Sequence, residues 1–410
     1  MARVLFVLAI GCALAGCEGR PAERASITPG ELDGLPWQDI VARAAGTTVN
    51  FAMWSGDDAR NRFFQGTVSR LLADRFDISL RLVPTADPAD VINKLLTERR
   101  GGRTEGGSID LVWINGENFR SARQGAVLWG PFATHLPNVA HYDADAMQAD
   151  FGTPTEGFEA PWEYAQFVFA YDSARVPTPP ATLPELKVWI RSHPGRFTYP
   201  AIPDFTGSAF IRHVLIHASG APPAAFVQPF DATLYAQASA SAIRWLRDIR
   251  GSLWRRGETY PPSPAELQRL FANGEIDFAM NYSPTFASDL IARGLFPATV
   301  RTFVLREGTL ANYSFLAIPF NATNPAGALT VINHLLSAEH AIGRMQAVGG
   351  VFPLVPESLT SAERRLLEAI PSAGPATLPL AILKAHRINE ADAEYLARFE
   401  RDWRREVLLR

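Results

Sequence analysis

The stretch TVNFAMWSG, residues 48–56, is β-branched and aromatic up to a Ser-Gly break, which is typical of a buried strand. Apolar side chains between residues 64 and 76 then recur on one helical face, and residues 79–83 favour a second strand. Another helical pattern covers residues 91–96, and residues 109–114 form a near-continuous apolar strand. This β-α-β-α-β order predicts a parallel sheet with helices on both faces.

Polar and aromatic residues follow these predicted strands at the edge where α/β sheets bind ligands. The candidate ligand-binding residues at this edge are Trp54, Ser55, Asp57, Trp113, Asn115, Glu117 and Asn118. Each also has a structural explanation, because Asp, Asn and Glu at such positions occur in turns and helix caps, and a tryptophan within a strand can pack in the core.

The length and composition of the chain favour a two-domain protein. A chain of 410 residues with 47% hydrophobic content can form a sizeable core, and this length usually divides into two domains. Its 39 basic residues nearly balance its 42 acidic ones without forming a basic stripe, so we expect no nucleic-acid binding.

The N-terminus carries a short apolar run, residues 4–16, that is followed by Cys17. The run is about half of the roughly 20 residues that a membrane span needs. Leu14-Ala15-Gly16-Cys17 resembles a lipobox, at which bacteria cleave an export signal and acylate the new N-terminal cysteine. The alternative is an ordinary cleaved signal in which Cys17 is incidental. We predict a signal peptide at residues 1–16, a tether at residues 17–36, and a periplasmic protein that contacts the membrane only through lipid on Cys17.

Further motifs lie between residues 169 and 325. They are FAYD at 169–172 with VPTPPATLPEL at 176–186, FANGEIDFAM at 271–280, and YSFLAIP at 313–319 with ATNP at 322–325. In this order they resemble the hinge strand, the returning segment and a second-lobe strand and turn of extracellular solute-binding proteins of ABC importers. The resemblance covers about residues 37–410. It implies the α/β, two-lobed type II periplasmic binding protein fold, in which each lobe is a mostly parallel sheet flanked by helices and the ligand cleft lies between the lobes.

A narrower resemblance is carried by IDLVWINGENF at 109–119, GPF at 130–132 and EAPW at 159–162. These segments look like the YnjB-type branch of the family, which is linked to thiamine-like ligands. The resemblance implies a monomeric binding protein that works with a permease and a separate ATPase subunit. It also implies a protein that is not an enzyme and that needs no cofactor.

The resemblance places residues 37–165 and 284–320 in the first lobe, and residues 166–283 and 321–410 in the second. The candidates at the hinge and on the second lobe are Trp162, Tyr164, Tyr199, Asp204, Phe205, Thr206, Ser208, Tyr282 and Tyr313. Asp204 could equally be a helix cap, and a hinge tyrosine could bond to the backbone. Because acidic residues outnumber basic ones among these aromatics, we expect a cationic or hydroxyl-rich ligand, such as a thiamine-like compound, a polyamine or a sugar.

The sequence leaves two other functions open. Paired carboxylates such as Asp57 and Glu117 could serve an exported glycoside hydrolase as acid and base, although the chain has no G-x-S-x-G or H-E-x-x-H motif. A lipoprotein that reports ligand occupancy to a membrane sensor would have the same two lobes. His213 and His217 are four residues apart on an apolar helix, which favours packed histidines over a metal site, and no metal is expected.

Overall fold

The computed structural model describes residues 26–85, 88–370 and 374–409, so the predicted signal peptide and Cys17 lie outside the described residues. The strands are β1 (Thr47–Trp54), β2 (Ile78–Thr85), β3 (Leu111–Ile114), β4 (Leu128–Trp129), β5 (Ala149–Asp150), β6 (Thr153–Pro154), β7 (Glu159–Gln166), β8 (Val168–Asp172), β9 (Phe278–Asn281), β10 (Val300–Phe303), β11 (Thr309–Pro319) and β12 (Arg387–Asn389).

The α-helices are α1 (Trp37–Ala44), α2 (Asp58–Phe63), α3 (Ser69–Phe76), α4 (Pro88–Arg100), α5 (Glu117–Gln124), α6 (Leu183–Ser192), α7 (Phe205–Ser219), α8 (Ala224–Val227), α9 (Ala232–Arg250), α10 (Pro264–Ala272), α11 (Phe286–Ala292), α12 (Pro325–Leu335), α13 (Ala338–Val348), α14 (Ser361–Ala369), α15 (Leu380–Ala385) and α16 (Ala393–Trp403). A π turn at Phe64–Val68 joins α2 to α3. Among the described residues, no helix has both the length and the apolar character that a membrane crossing requires.

The first lobe is built on a sheet in the order β12-β11-β3-β1-β2, with β4 and β7 also paired to β11. β1 runs parallel to β2 and to β3, which confirms the predicted β-α-β-α-β unit. β11 runs antiparallel to β3 because the chain enters β11 from the second lobe. The buried Asp110 carboxylate ties this sheet to the start of α12, since it accepts hydrogen bonds from the Asn50 N–H at 2.9 Å and from the N–H groups of Thr323 and Asn324 at 3.0 Å.

The second lobe contains a three-stranded sheet in the order β10-β8-β9, packed among α6, α7, α9 and α10. Both pairings of β8 are antiparallel, so the expectation of a mostly parallel sheet is wrong for this lobe. The reason lies in the chain path: β8 leaves the hinge, whereas β9 and β10 both return toward it.

Three segments pack differently from the predicted division. Residues 284–320 were expected in the first lobe, but β10 within them pairs with β8 in the second-lobe sheet, and α11 packs against β10. Residues 321–410 were expected in the second lobe, but α12 and α13 pack with α1 and β1 in the core of the first lobe, while α16 packs on α7 and α9 of the second. Both cores supply apolar surface, so the apolar pattern of a helix does not reveal which lobe it covers. Within the predicted tether, Ile27 and Leu32 are buried, and Trp129 Nε1 donates to the Ile27 carbonyl at 3.2 Å. The chain therefore joins the first lobe from about Ile27 onward.

Two extended segments connect the lobes. One is β7 together with β8, which follows it directly, and the other is β11. The Gln166 N–H donates to the Tyr282 carbonyl at 3.1 Å, and the Phe167 N–H donates to the Leu310 carbonyl at 2.9 Å. His213 on α7 accepts the Leu310 N–H at Nε2 (2.8 Å), while its Nδ1–H donates to the Ala209 carbonyl at 2.7 Å. These bonds fix the point at which the second lobe pivots on the first.

Candidate functional site

The loop after β1 holds its polar residues in local hydrogen bonds. Asp57 caps α2, since its Oδ1 accepts from the N–H groups of Ala59 at 3.0 Å and Arg60 at 3.1 Å. Ser55 Oγ donates to the Thr85 carbonyl at 3.1 Å, at the end of the neighbouring strand. Trp54 differs from both, because 38% of its surface is exposed and its ring is open to a solute.

A line of three tryptophans leads from this loop into the first lobe. The Trp113 ring lies edge-on between Trp54, at 6.3 Å, and Trp162, at 5.4 Å. The Arg60 guanidinium lies 4.8 Å from the Trp113 ring and 3.7 Å from Glu163. Trp162 is fully buried, so in this conformation it supports the line instead of facing a ligand.

Glu163 joins two arginines in a buried charged cluster, which we call the Glu163 cluster (Arg60, Glu163 and Arg344). Arg344 lies 3.0 Å from Glu163, and burial lowers the pKa of Arg344 to about 10. Arg344 Nε and Nη1 have no hydrogen-bond partner among the described residues. The cluster is the main electrostatic feature beneath the tryptophan line, and the sequence did not single out Arg344.

Asp204, Phe205 and Thr206 form the start of α7 in the second lobe. Asp204 is a cap that accepts from the N–H groups of Thr206 at 2.9 Å and Gly207 at 3.0 Å, and burial raises its pKa. Thr206 is buried, whereas 41% of Phe205 is exposed, and the Phe205 ring packs on Tyr282 at 5.0 Å. Phe205 is therefore the member of this group with a free surface.

Behind Phe205 lies a buried polar network. Arg212 donates to both carboxylate oxygens of Glu390 at 2.9 Å, and the Tyr282 hydroxyl donates to the same Glu390. Burial raises the pKa of Tyr282, so its phenol stays protonated as the donor. Tyr282, a sequence candidate, thus holds Glu390 in place.

The predicted tyrosines at the hinge and in the second lobe are largely structural. The Tyr164 hydroxyl donates to Gln166 Oε1 at 2.8 Å, and its ring packs on Tyr313 at 5.5 Å. Tyr199 accepts the Trp403 Nε1–H at 3.0 Å in the core of the second lobe. Ser208 donates to Glu400 in the same lobe.

The first turn of α5 carries the remaining candidates. Glu117 is exposed and Asn118 half-buried, and both line an open groove of about 400 Å³ between α4 and α5 of the first lobe and α16 of the second. Asn115 is half-buried just before it. Asp57 lies in the loop after β1 and does not line this groove, so the groove does not bring Asp57 and Glu117 together as an acid–base pair.

A second cavity, of about 350 Å³, lies at the hinge, and we call it the hinge cavity. Its walls include Asp150, Phe151, Asn312, Tyr313, Arg387 and Glu390. Asp150 Oδ2 accepts the Gly116 N–H at the end of β3, while Asp150 Oδ1 and Asn312 Nδ2 are buried without a hydrogen-bond partner among the described residues. Of the sequence candidates, Tyr313 lines this cavity. No motif marked Asp150 or Asn312, because they meet only after the hairpin β5–β6 folds over the hinge strand β11.

The histidines are packed as the sequence favoured. Both ring nitrogens of His213 are hydrogen-bonded, and His217 Nε2 lies 3.1 Å from the Gly308 carbonyl. Burial lowers the pKa of both rings, which keeps them neutral. Within the described part of the chain, no group of three potential ligands is placed to hold a metal ion.

Comparison with known proteins identifies the family. Residues 42–370 match the bacterial extracellular solute-binding proteins. The chain belongs to this family. YnjB of Escherichia coli strain K12 is 36% identical to it over 368 residues, which cover 88% of this chain and 94% of that protein.

Solved structures show the same two-lobed type II fold in other solute-binding proteins. The TpPotD lipoprotein of Treponema pallidum has a TM-score of 0.64 at 14% identity, over 88% of this chain and 100% of that one. The spermidine/putrescine substrate-binding protein PotD of Streptococcus pneumoniae has a TM-score of 0.63 at 13% identity, over 87% and 97% of the two chains. An ABC transporter protein of Clostridium perfringens has a TM-score of 0.63 at 15% identity, over 87% and 99%.

In this solute-binding protein, the structure brings the sequence candidates together in three groups. The first is Trp54 with Trp113 and Trp162, the second is Phe205 with Tyr282, and the third is Tyr164 with Tyr313. Trp54 and Phe205 have exposed rings on opposite lobes. Asp57, Asp204 and Ser55 are held in local hydrogen bonds, which matches the structural explanation of each.

Proposed function

We propose that this protein is the binding component of an ABC importer, which holds a small solute between its lobes and delivers it to a permease with a separate ATPase subunit. The observation that carries the proposal is the hinge cavity, because both lobes contribute to its walls: Asp150 and Asn312 from the first, and Val227 and Glu390 from the second. A solute that touches both walls stabilises the closed arrangement, which the permease recognises.

Structural relatives support this role. Two of them are spermidine/putrescine ABC transporter proteins, from Streptococcus pneumoniae and Listeria monocytogenes. The family is extracellular, and in this proposal the chain is anchored in the periplasm as a monomer through lipid on Cys17. The solute is cationic or hydroxyl-rich, and it is released unchanged, because the protein acts by binding and closure.

Thermal unfolding of the full-length protein tests the proposal. The chain would be melted with thiamine, spermidine, putrescine, sugars, amino acids and oxyanions, and we expect a saturable rise in melting temperature with one class, since a native-state ligand stabilises by mass action. Mass spectrometry of the bound compound should return it unchanged. No shift with any class, or conversion of a compound to product, would contradict solute capture.

A further inference from the structure

The hinge cavity contains the polar atoms that a solute would have to satisfy. Asp150 is 1% exposed, yet its Oδ1 has no hydrogen-bond partner among the described residues, and the same holds for the buried Nδ2 of Asn312. A buried donor or acceptor without a partner costs roughly 1–3 kcal/mol, so native proteins normally pair such atoms. One acceptor and one donor therefore lie unpaired in the wall of a cavity whose volume suits a small molecule.

The charges around Asp150 favour a cation. Glu159, also 1% exposed, has no hydrogen-bond partner for either carboxylate oxygen among the described residues, and it interacts electrostatically with Asp150. Glu390 adds a third buried carboxyl group, but its charge is balanced by the two hydrogen bonds from Arg212. Among the described residues, no base forms an ion pair with Asp150 or Glu159.

The other groups facing Asp150 do not change this balance. The Gly116 N–H donates to Asp150 Oδ2, which leaves Oδ1 without a partner. Arg123 interacts with Glu159 but is paired with Glu156 near the surface of the first lobe. Arg387 also lines the cavity, but it faces Tyr313: its Nη1 donates to the Tyr313 hydroxyl at 3.4 Å, and its guanidinium lies 5.7 Å from the Tyr313 ring.

We propose that the solute is an amine-bearing cation that binds in the hinge cavity, with its amine on Asp150 Oδ1 and a hydrogen-bond acceptor on Asn312 Nδ2. This assignment rests on the proposed function and names the two polar atoms of the first lobe that the solute contacts. The rings of Phe151 and Tyr313 line the remaining wall and supply faces on which the body of a cationic solute packs.

Binding of a cation at Asp150 releases a proton. Burial raises the pKa of Asp150 well above its usual value, and the charge of Glu390 adds to the rise, which favours the neutral acid in the empty site. An ammonium group at Oδ1 stabilises the carboxylate, and the displaced proton goes to the buffer. Affinity for the cation should therefore rise with pH until Asp150 is ionised in the empty protein.

Isothermal titration calorimetry of the full-length protein tests the assignment with thiamine, spermidine, glucose and fructose 6-phosphate as probes. Each titration is run in two buffers with different ionisation enthalpies, so that proton release appears as a difference in measured heat. We expect one or both cationic probes to bind with proton release. Asp150→Asn keeps the shape of the side chain but removes the charge, and it should weaken that binding by about thirtyfold or more and abolish the buffer dependence.

Two further variants separate a binding role from a folding role. Glu159→Gln removes an equally buried carboxyl group that does not line the cavity and acts on the site only through its interaction with Asp150, so it should weaken binding much less than Asp150→Asn does. Asn312→Leu should weaken thiamine, which carries acceptors, by about tenfold, with a smaller effect on spermidine. Should Asp150→Asn not fold, Asn312→Leu still tests the site.

The outcomes distinguish an error in the assignment of the ligand to Asp150 from an error in the proposed solute-binding function. If a cation binds and Asp150→Asn binds it equally well with the same proton release, solute capture stands and the assignment to Asp150 is wrong. If the wild-type chain binds only glucose or fructose 6-phosphate, the proposal that the solute places an amine on Asp150 is wrong. If no compound of the wider panel binds, the proposed function itself fails.

Discussion

Asp289 is a carboxyl group of the second lobe whose pKa depends on residues of the first lobe. It lies on α11, and its Oδ2 accepts a hydrogen bond from Thr285 Oγ1 at 3.0 Å. Burial raises its pKa to about 6, and the nearby charge of Asp57 on the first lobe adds to this rise, while Arg293 and Arg60 oppose it. The folded protein therefore favours the neutral acid, which makes Asp289 a source of pH-dependent stability.

Replacement of Asp289 by asparagine should make the protein more stable at neutral pH, because the variant has no buried carboxyl group that must ionise. Because the folded pKa of about 6 lies above the unfolded value of 3.8, the contribution of Asp289 is fully present below pH 3.8 and is lost as the pH rises to about 6. The free energy of unfolding of Asp289→Asn minus that of the wild type should then increase between pH 4 and pH 7. We expect an increase on the order of 3 kcal/mol.

Urea denaturation at pH 4 and pH 7 measures this difference. Asp248→Asn, on the exposed face of α9, is the control and should differ from the wild type by the same small amount at both pH values. A difference between Asp289→Asn and the wild type that does not change with pH would contradict the argument.

At the scale of elements, the turn after α13 forms a contact between the lobes that needs glycine. Gly349 and Gly350 have φ values of 74° and 107°. A Cβ on Gly349 would lie 3.0 Å from Asp289 Oδ1 of the second lobe, and a Cβ on Gly350 would lie 3.0 Å from Glu163 Oε1 of the first. The turn therefore fits between Asp289 and the Glu163 cluster only without side chains.

Gly349→Ala should destabilise the closed arrangement more than its backbone strain alone explains. Gly294, at the end of α11, has a φ of 70° and open space around it, so Gly294→Ala reports the strain of a positive φ without a clash. We expect Gly349→Ala to lower the free energy of unfolding by about 1–2 kcal/mol more than Gly294→Ala. If thermal melts showed that the two variants lose the same amount of stability, a clash between the Cβ at position 349 and Asp289 would be excluded.

Local patterns predicted the elements well, because they depend on neighbouring residues. The alternation that begins at residue 48 gave β1, β2 and β3 with the helices between them, and Thr182 and Ser263 cap α6 and α10 as their positions suggest. Glu185 and Glu266 follow these caps by three residues, the spacing of a capping box, but each bonds elsewhere: Glu185 accepts from the Ala181 N–H, and Glu266 pairs with Arg269. These glutamates had competing partners that the spacing alone does not reveal.

The hinge cavity could not be predicted because it depends on long-range register. Asp150 and Asn312 are far apart in sequence. They share a cavity because β11 pairs with β12 at residues 309–311 and with β3 at residues 315–317, which leaves a gap between β12 and β3 beside Asn312 and Tyr313. Residues at strand ends, such as Trp54, were predicted because every strand end is a plausible site, and contact between Trp54 and a ligand stays a prediction. Asp57 met the same criterion, and in the structure it caps a helix, as does Asp204 of the second lobe.

At the scale of the whole molecule, an ion pair links the two lobes beside the groove between α4, α5 and α16. Arg120 on α5 lies 3.4 Å from Asp392, the capping residue of α16. Close by, a Cβ on Gly152 of the β5–β6 hairpin would lie 3.0 Å from the Val227 carbonyl of the second lobe. The hairpin that carries Asp150 is thus in direct contact with the second lobe.

Loss of the Arg120–Asp392 pair should shift the protein toward an open arrangement and weaken solute binding. Partly exposed ion pairs contribute about 0.2–1 kcal/mol, so Arg120→Ala should reduce the ratio of closed to open protein, and with it the affinity, by about two- to fivefold. Small-angle X-ray scattering would detect the opening as a larger radius of gyration, and calorimetry would give the affinity. Arg123→Ala is the matched control, because Arg123 lies on the same helix and pairs with Glu156 inside the first lobe. Its loss should leave the radius of gyration unchanged, and an equal opening in both variants would mean that the ion pair between the lobes does not set the closed state.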